Sequence, residues 1–135
     1  MIRLLCVDDD PLIRTYLATR LGLEPDICVT GVVSNARDAL EAIRLGNLDV
    51  VILDYQMDGQ TGMDLLKQLM QQPVCDGGAR PRILFCTGWA DDSLEECARS
   101  HGAAGVVAKE QMSTELVPAV RAVAAGGEWY RSGLL

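Results

Sequence analysis

Five short runs of apolar residues, rich in β-branched side chains, constrain this chain more than any other feature: Ile2–Val7, Ile27–Val33, Val50–Leu53, Ile83–Cys86 and Val106–Ala108. None alternates apolar with polar residues as a strand with one wet face does. Each is nearly continuous, as expected of strands covered on both faces. The segments between them carry helix signals. Asp10 before Pro11 reads as a cap and first helical position, with Gly22 as the stop. Asn35 with Asp38 three residues on opens a second helix that Gly46 closes, and Thr61 with Asp64 opens a third. A fourth is predicted from Asp91 or Asp92 to Gly102, and a fifth from about Thr114 to Gly126, where Pro118 is tolerated because it falls near the first turn.

Strand and helix alternating five times predict an α/β fold, a doubly wound five-stranded parallel sheet with right-handed crossovers and five helices on its two faces. A length of 135 residues suits one such domain. Ligands of these sheets bind beyond the carboxyl ends of the strands, where strand order switches. The irregular stretch 72–82, with two prolines and two glycines, lies at the opposite end of the sheet and reads as a variable loop with Cys75 exposed.

Chemistry is therefore sought just after each run. The first ends in Asp8-Asp9-Asp10, the third in Asp54, the fourth in Thr87 and the fifth in Lys109, while the second ends in nothing ionisable. Two carboxylates about 4 Å apart repel by roughly 4 kcal/mol at an effective dielectric near 20. Several together need a raised pKa, a cation, or both. Oxygen-only ligands suit Mg²⁺ or Mn²⁺, so a divalent cation is the expected occupant. One carboxylate can then attack phosphorus while the cation and a lysine screen the developing charge, and Thr87 and Lys109 fit as donor and counter-charge for phosphoryl oxygens. The chemistry indicated is phosphoryl transfer to an aspartate.

Charge and cysteine usage narrow the class. Nineteen acidic against twelve basic residues give a net charge of −7, which repels phosphate backbones and makes this chain a poor DNA binder by itself. The five cysteines are odd in number and form no C-x-x-C pair; Cys6, Cys28 and Cys86 sit in apolar runs, as small buried hydrophobes do. No apolar run approaches the ~20 residues of a membrane span, and Met1–Cys6 is too short for a signal peptide. The expected setting is the cytoplasm.

CVDDDP at 6–11, VVILDYQMDGQTG at 50–62, ILFCTG at 83–88 and GVVAKE at 105–110 resemble, in order and spacing, the receiver domain of bacterial two-component response regulators. The resemblance covers essentially the whole chain. It implies a flavodoxin-like sheet of strand order 2-1-3-4-5 and a phosphoacceptor at Asp54, modified by a sensor histidine kinase in a Mg²⁺-dependent reaction. Asp9 is then the principal metal-binding acid, Asp8 its partner through water, and the Gln56 backbone carbonyl a further ligand. Thr87 and Lys109 contact the phosphoryl group, and Asp10 belongs to the helix cap. Such a domain is a switch that catalyses only its own phosphorylation and slow dephosphorylation. Dimerisation through the face of the fourth helix, fifth strand and fifth helix, or through the first and fifth helices, is the expected self-association.

RAVAAGGEWY at 121–130 is similar to the receiver end of NarL/FixJ-type regulators, where a linker and a LuxR-type helix-turn-helix domain follow. This implies a receiver domain over 1–126 and a tail or start of a linker over 127–135. DNA contact would belong to an output domain outside these residues. The chain reads either as a receiver from a longer transcription factor or as a single-domain receiver.

Three departures from the family pattern stand out. Asp58 follows Met57 where a proline is common, Val106 stands where an aromatic switch residue is common, and Trp89 lies two residues after Thr87, at a position that influences water access to the acyl phosphate. Asp91 and Asp92 read as caps, His101 as a C-terminal dipole partner or an exposed residue, and Trp129 and Tyr130 as packing or linker residues. Two other functions compete. A haloacid-dehalogenase-like phosphatase would use Asp8-Asp9-Asp10 as D-x-D, but its later acidic pair should follow the lysine, whereas Asp91-Asp92 precedes Lys109. A pseudo-receiver would act as an interaction module without phosphorylation.

Overall fold

The computed structural model describes residues 1–57, 59–71 and 80–130. Its strands are β1 (Ile2–Val7), β2 (Ile27–Val33), β3 (Val50–Leu53), β4 (Gln56–Met57), β5 (Gln60–Thr61), β6 (Arg82–Thr87) and β7 (Gly105–Ala108). The helices are α1 (Pro11–Gly22), α2 (Ala36–Arg44), α3 (Gly62–Gln71), α4 (Asp92–Ser100) and α5 (Met112–Ala124), the last preceded by one 3-10 turn, Lys109–Gln111. Five strands form a parallel sheet in the order β2-β1-β3-β6-β7, and β4 pairs antiparallel with β5 as a separate hairpin. With the hairpin set aside, this is the expected order 2-1-3-4-5. Asp58, Cys75 with most of the 72–82 stretch, and residues 131–135 lie outside the described residues.

Alternate positions along each central strand feed two cores. Leu4, Cys6, Ile52, Leu84 and Cys86 pack with α1 and α5, whereas Leu5, Val7, Leu53, Ile83 and Phe85 pack with α2, α3 and α4. This double cover is why the runs read as continuous rather than alternating. β2 departs from it: at the sheet edge its residues are mostly half-buried, and Cys28 is only partly covered instead of buried. Cys6 and Cys86 are buried free thiols, both pushed up to about 12 by desolvation.

The helix ends follow the sequence closely. Side chains of Asp10, Asn35 and Asp91 accept the backbone N–H of Leu12, Asp38 and Leu94 at 2.9, 2.8 and 2.8 Å. Thr61 and Asp64 form a reciprocal capping box at 3.1 Å each way. Helix α5 is the exception. It begins at Met112 rather than about Thr114, so Pro118 falls beyond the first turn, on the exposed side of the helix interior. Five buried residues from Leu116 to Val123 lock the other face onto the sheet, and that burial outweighs the backbone hydrogen bond a proline removes.

Candidate functional site

The switch in strand order lies between β1, whose crossover leads outward to β2, and β3 on its other side. Val7 pairs with Leu53, which places Asp8 and Asp54 side by side at the carboxyl end of the sheet. The Asp54 N–H donates to the Val7 carbonyl (3.0 Å) and the Asp8 N–H to the Val33 carbonyl (3.1 Å). Thr87 pairs with Ala108, which sets Thr87 beside Lys109 across the next two strands. Carboxylate oxygens of Asp8, Asp9 and Asp54 lie within 4.8 Å of one another. Lys109 Nζ reaches Asp8 Oδ2 at 3.0 Å and Asp54 Oδ2 at 3.3 Å. Above them opens a cavity of about 620 Å³ lined by Asp9, Asp54, Gln56, Thr87, Trp89 and Lys109, among others. All the residues singled out at the strand ends thus meet in one place.

Their electrostatics follow from burial. Asp8 and Asp54 are 1% and 4% exposed. Desolvation, helped by the charge on Asp8, raises the Asp54 carboxyl from 3.8 to about 6 despite the opposing Lys109 ammonium. Burial works to lower Lys109, but its hydrogen bond to Asp8 and the two carboxylate charges outweigh that and raise it. Three carboxylates against one ammonium leave an excess of negative charge on oxygen-only donors. The donor set therefore fits a hard divalent cation such as Mg²⁺.

Asp10, although it borders the cavity, caps α1 through its side chain, and its own N–H donates to Asp8 Oδ1 (2.9 Å). His101 sits at the far end of α4, its Nδ1 2.8 Å from the Cys97 carbonyl oxygen, as a C-terminal residue of that helix. Asp91 caps α4 with one oxygen and accepts the Trp89 indole N–H on the other (2.9 Å), while the Trp89 backbone N–H donates to the Thr87 hydroxyl (3.2 Å). Because that hydroxyl accepts in this bond, its own proton can be donated to another group.

Two supporting residues escaped sequence reasoning. Arg14 Nη1 donates to the Asp8 carbonyl (2.8 Å), fixing the β1–α1 turn from an i+6 separation that no helical or strand spacing marks. Gly62 opens α3, and its N–H donates to the Tyr55 carbonyl (2.5 Å). A Cβ there would stand 2.3 Å from the Asp54 carbonyl oxygen and 2.9 Å from Phe85 Cε1. The signal available was a glycine just inside a capping box, where no turn requires one. Gly62→Ala is expected to cost about 1–3 kcal/mol by overpacking and to displace the Asp54 carbonyl; a urea midpoint unchanged from wild type would show that the loop yields freely.

Comparisons with known proteins identify the family. The family described as the response regulator receiver domain matches residues 4–121. Transcriptional regulatory protein LiaR of Bacillus subtilis is 33% identical over 129 residues, 93% of this chain and 57% of LiaR. The nitrate/nitrite response regulator NarL of Escherichia coli is 28% identical over 123 residues, 91% of this chain and 55% of NarL. The chain thus spans little more than half the length of these relatives. The crystal structure of a LuxR-family two-component response regulator from Aurantimonas sp. SI85-9A1 superposes with a TM-score of 0.83 at 28% identity, covering 94% of this chain and 87% of that one. Since the family match over residues 4–121 takes in both the acidic turn after β1 and the strand that delivers Lys109, the chain belongs to the response regulator receiver domains, among NarL/LuxR-family relatives.

Proposed function

We propose that Asp54 is the phosphoacceptor of a two-component switch, modified by a sensor histidine kinase with Mg²⁺ or Mn²⁺ bound by Asp8, Asp9, Asp54 and the Gln56 carbonyl. The observation that carries this reading is the cluster itself, with Asp54 on the wall of an open cavity and Lys109 at 3.3 Å. The bound cation would neutralise phosphoryl oxygens during transfer.

The chain's own residues supply the rest. Burial beside Asp8 raises the Asp54 carboxyl to about 6 without a cation, so it is ionised at neutral pH even then and can attack as a carboxylate. Its oxygen forms the new bond to phosphorus, while the bond from phosphorus to the donor breaks and its electron pair leaves with the donor. Lys109 Nζ and the Thr87 hydroxyl proton stand ready for the oxygens of the product. Asp8 is a poorer candidate for nucleophile, being 1% exposed with its oxygens on the Asp10 N–H and Lys109, which disfavours the phosphatase reading.

The role is regulatory: the domain catalyses only its own modification and slow hydrolysis, in the cytoplasm. No helix among the described residues is long and apolar enough to cross a membrane. A second copy would pair through α4, β7 and α5 or through α1 and α5, and DNA would be reached through an output domain.

Incubation with Mg²⁺ and acetyl phosphate should add one base-labile phosphoryl group by intact mass, lost in Asp54→Asn. An adduct that persists in that variant would move the acceptor elsewhere, and no adduct at all would favour the pseudo-receiver.

A further inference from the structure

β1 ends at Val7, and the acids that follow it sit on a turn. Asp8 is 1% exposed, so each of its polar groups needs a partner. Its N–H donates to the Val33 carbonyl (3.1 Å), Oδ1 accepts from the Asp10 N–H (2.9 Å) and Oδ2 faces Lys109 Nζ (3.0 Å). The carbonyl remains, and it accepts from the Arg14 guanidinium at 2.8 Å. That carbonyl belongs to the same planar unit as the Asp9 N–H. Holding it therefore fixes the peptide from which the Asp9 side chain departs.

Asp9 has little else to aim it. It is half-buried, and its carboxylate takes no hydrogen bond among the described residues, unlike those of Asp8 and Asp54. Yet one of its oxygens comes within 4.8 Å of theirs, and it lines the cavity. Its direction is set by the backbone that carries it, and Arg14 grips that backbone from outside the turn.

A helix does not by itself favour a cation where Arg14 stands. It is the fourth residue of α1, its N–H bonded to the Asp10 carbonyl at 3.0 Å, and positive charge so near the start of a helix opposes the dipole. Among the described residues it forms no salt bridge, and its guanidinium goes to a neutral carbonyl. Helical side chains lean toward the N-terminus, so a long one in the second turn of α1 reaches back past the cap. Because it holds a carbonyl, it takes up no carboxylate oxygen.

We propose that Arg14 is a positioning residue of the cation site, acting through the Asp8–Asp9 peptide to hold the Asp9 carboxylate where Mg²⁺ or Mn²⁺ binds. The proposal rests on the receiver reading of the site, in which Asp9 is the principal metal-binding acid. Arg14 has two effects on a cation, opposite in sign. Its charge repels the cation, so a neutral residue at 14 that changed nothing else would strengthen binding. Loss of the clamp weakens binding, by the roughly 10–100-fold typical when a group supporting a metal ligand is removed. The second effect is the larger, because Arg14 is half-exposed and water screens its charge.

Isothermal titration of the whole chain with MgCl₂ alone tests it, in Arg14→Met and Arg14→Gln. Methionine has no donor and glutamine is two bonds shorter; either variant serves if the other does not fold. Each should raise the Mg²⁺ dissociation constant about tenfold. Adduct formation with acetyl phosphate, followed by intact mass, should show the same shift in half-saturating Mg²⁺. At saturating Mg²⁺ its rate should stay within about twofold of wild type, since Asp54, Thr87 and Lys109 are untouched. A role in stability alone would leave the dissociation constant of the folded variants where it was. Unchanged or tighter Mg²⁺ binding therefore overturns the positioning role and leaves the receiver reading intact. So does a rate lost at saturating Mg²⁺ with the half-saturating concentration unchanged. Wild-type protein that binds no Mg²⁺ overturns both.

Discussion

Lys109→Met in metal-free buffer near pH 8 should lose about 3–5 kcal/mol of unfolding free energy, the usual cost of stranding buried charge by deleting its partner. Nζ lies 3.0 Å from Asp8 and 3.3 Å from Asp54, both nearly inaccessible to water. Methionine replaces most of the stem but none of the charge, so lost packing is a small part of the effect. Adding Mg²⁺ should restore much of the loss, because a cation held by the same carboxylates neutralises them in place of the ammonium. Urea unfolding with and without EDTA measures both. A loss below about 1 kcal/mol, the range of exposed ion pairs, would show that the acids are neutralised without Lys109.

Asp54→Asn should act in the opposite direction. The folded Asp54 carboxyl holds its proton up to about 6, against 3.8 in its ordinary state. Between those values the folded protein binds more protons than the unfolded chain, so stability falls as pH rises through the window. An interval of about 2 pH units corresponds to roughly 3 kcal/mol, present in full below the lower value and gone above the upper one. Without divalent cation, the substitution should therefore stabilise the protein near pH 8 by up to about 3 kcal/mol, less whatever the lost Lys109 contact contributed, and the advantage should shrink toward pH 4. Thermal or urea denaturation across that range decides it. Parallel stability curves for wild type and variant would mean that Asp54 ionises without penalty.

Much of this was readable along the chain. Caps at Asp10, Asn35, Thr61 and Asp91 depend on side chains within three residues of the backbone they satisfy, and the structure keeps every one. β1, β2 and β3 match the apolar runs residue for residue; β6 extends its run by one residue at each end, and β7 by one at its start. Asp8, Asp9, Asp54, Thr87 and Lys109 were legible because strand ends in a doubly wound sheet converge by topology alone. Cys28 was misplaced as buried because a β-branched run does not say whether its strand is central or at an edge. Pro118 was misplaced in the first turn because the start of α5 is fixed by apolar residues meeting the sheet rather than by any cap. The β4–β5 hairpin, too short for a periodic signal, went unseen.

The sequence alone determined the order of the five sheet strands and five helices, the caps of most helices and the identity of the acidic cluster, since local capping, apolar periodicity and right-handed crossovers leave few alternatives. The tertiary structure decided what depends on contacts between distant residues. It buried Asp54 beside Asp8 and so lifted its carboxyl to about 6, with Lys109 between the two acids as a partial counterweight. It made Gly62 a steric requirement of the Asp54 loop. It also returned Trp129 and Tyr130 to β7 and α4. The physical reason is the same in each case: desolvation, steric exclusion and edge pairing are properties of surfaces that exist only after the sheet has formed.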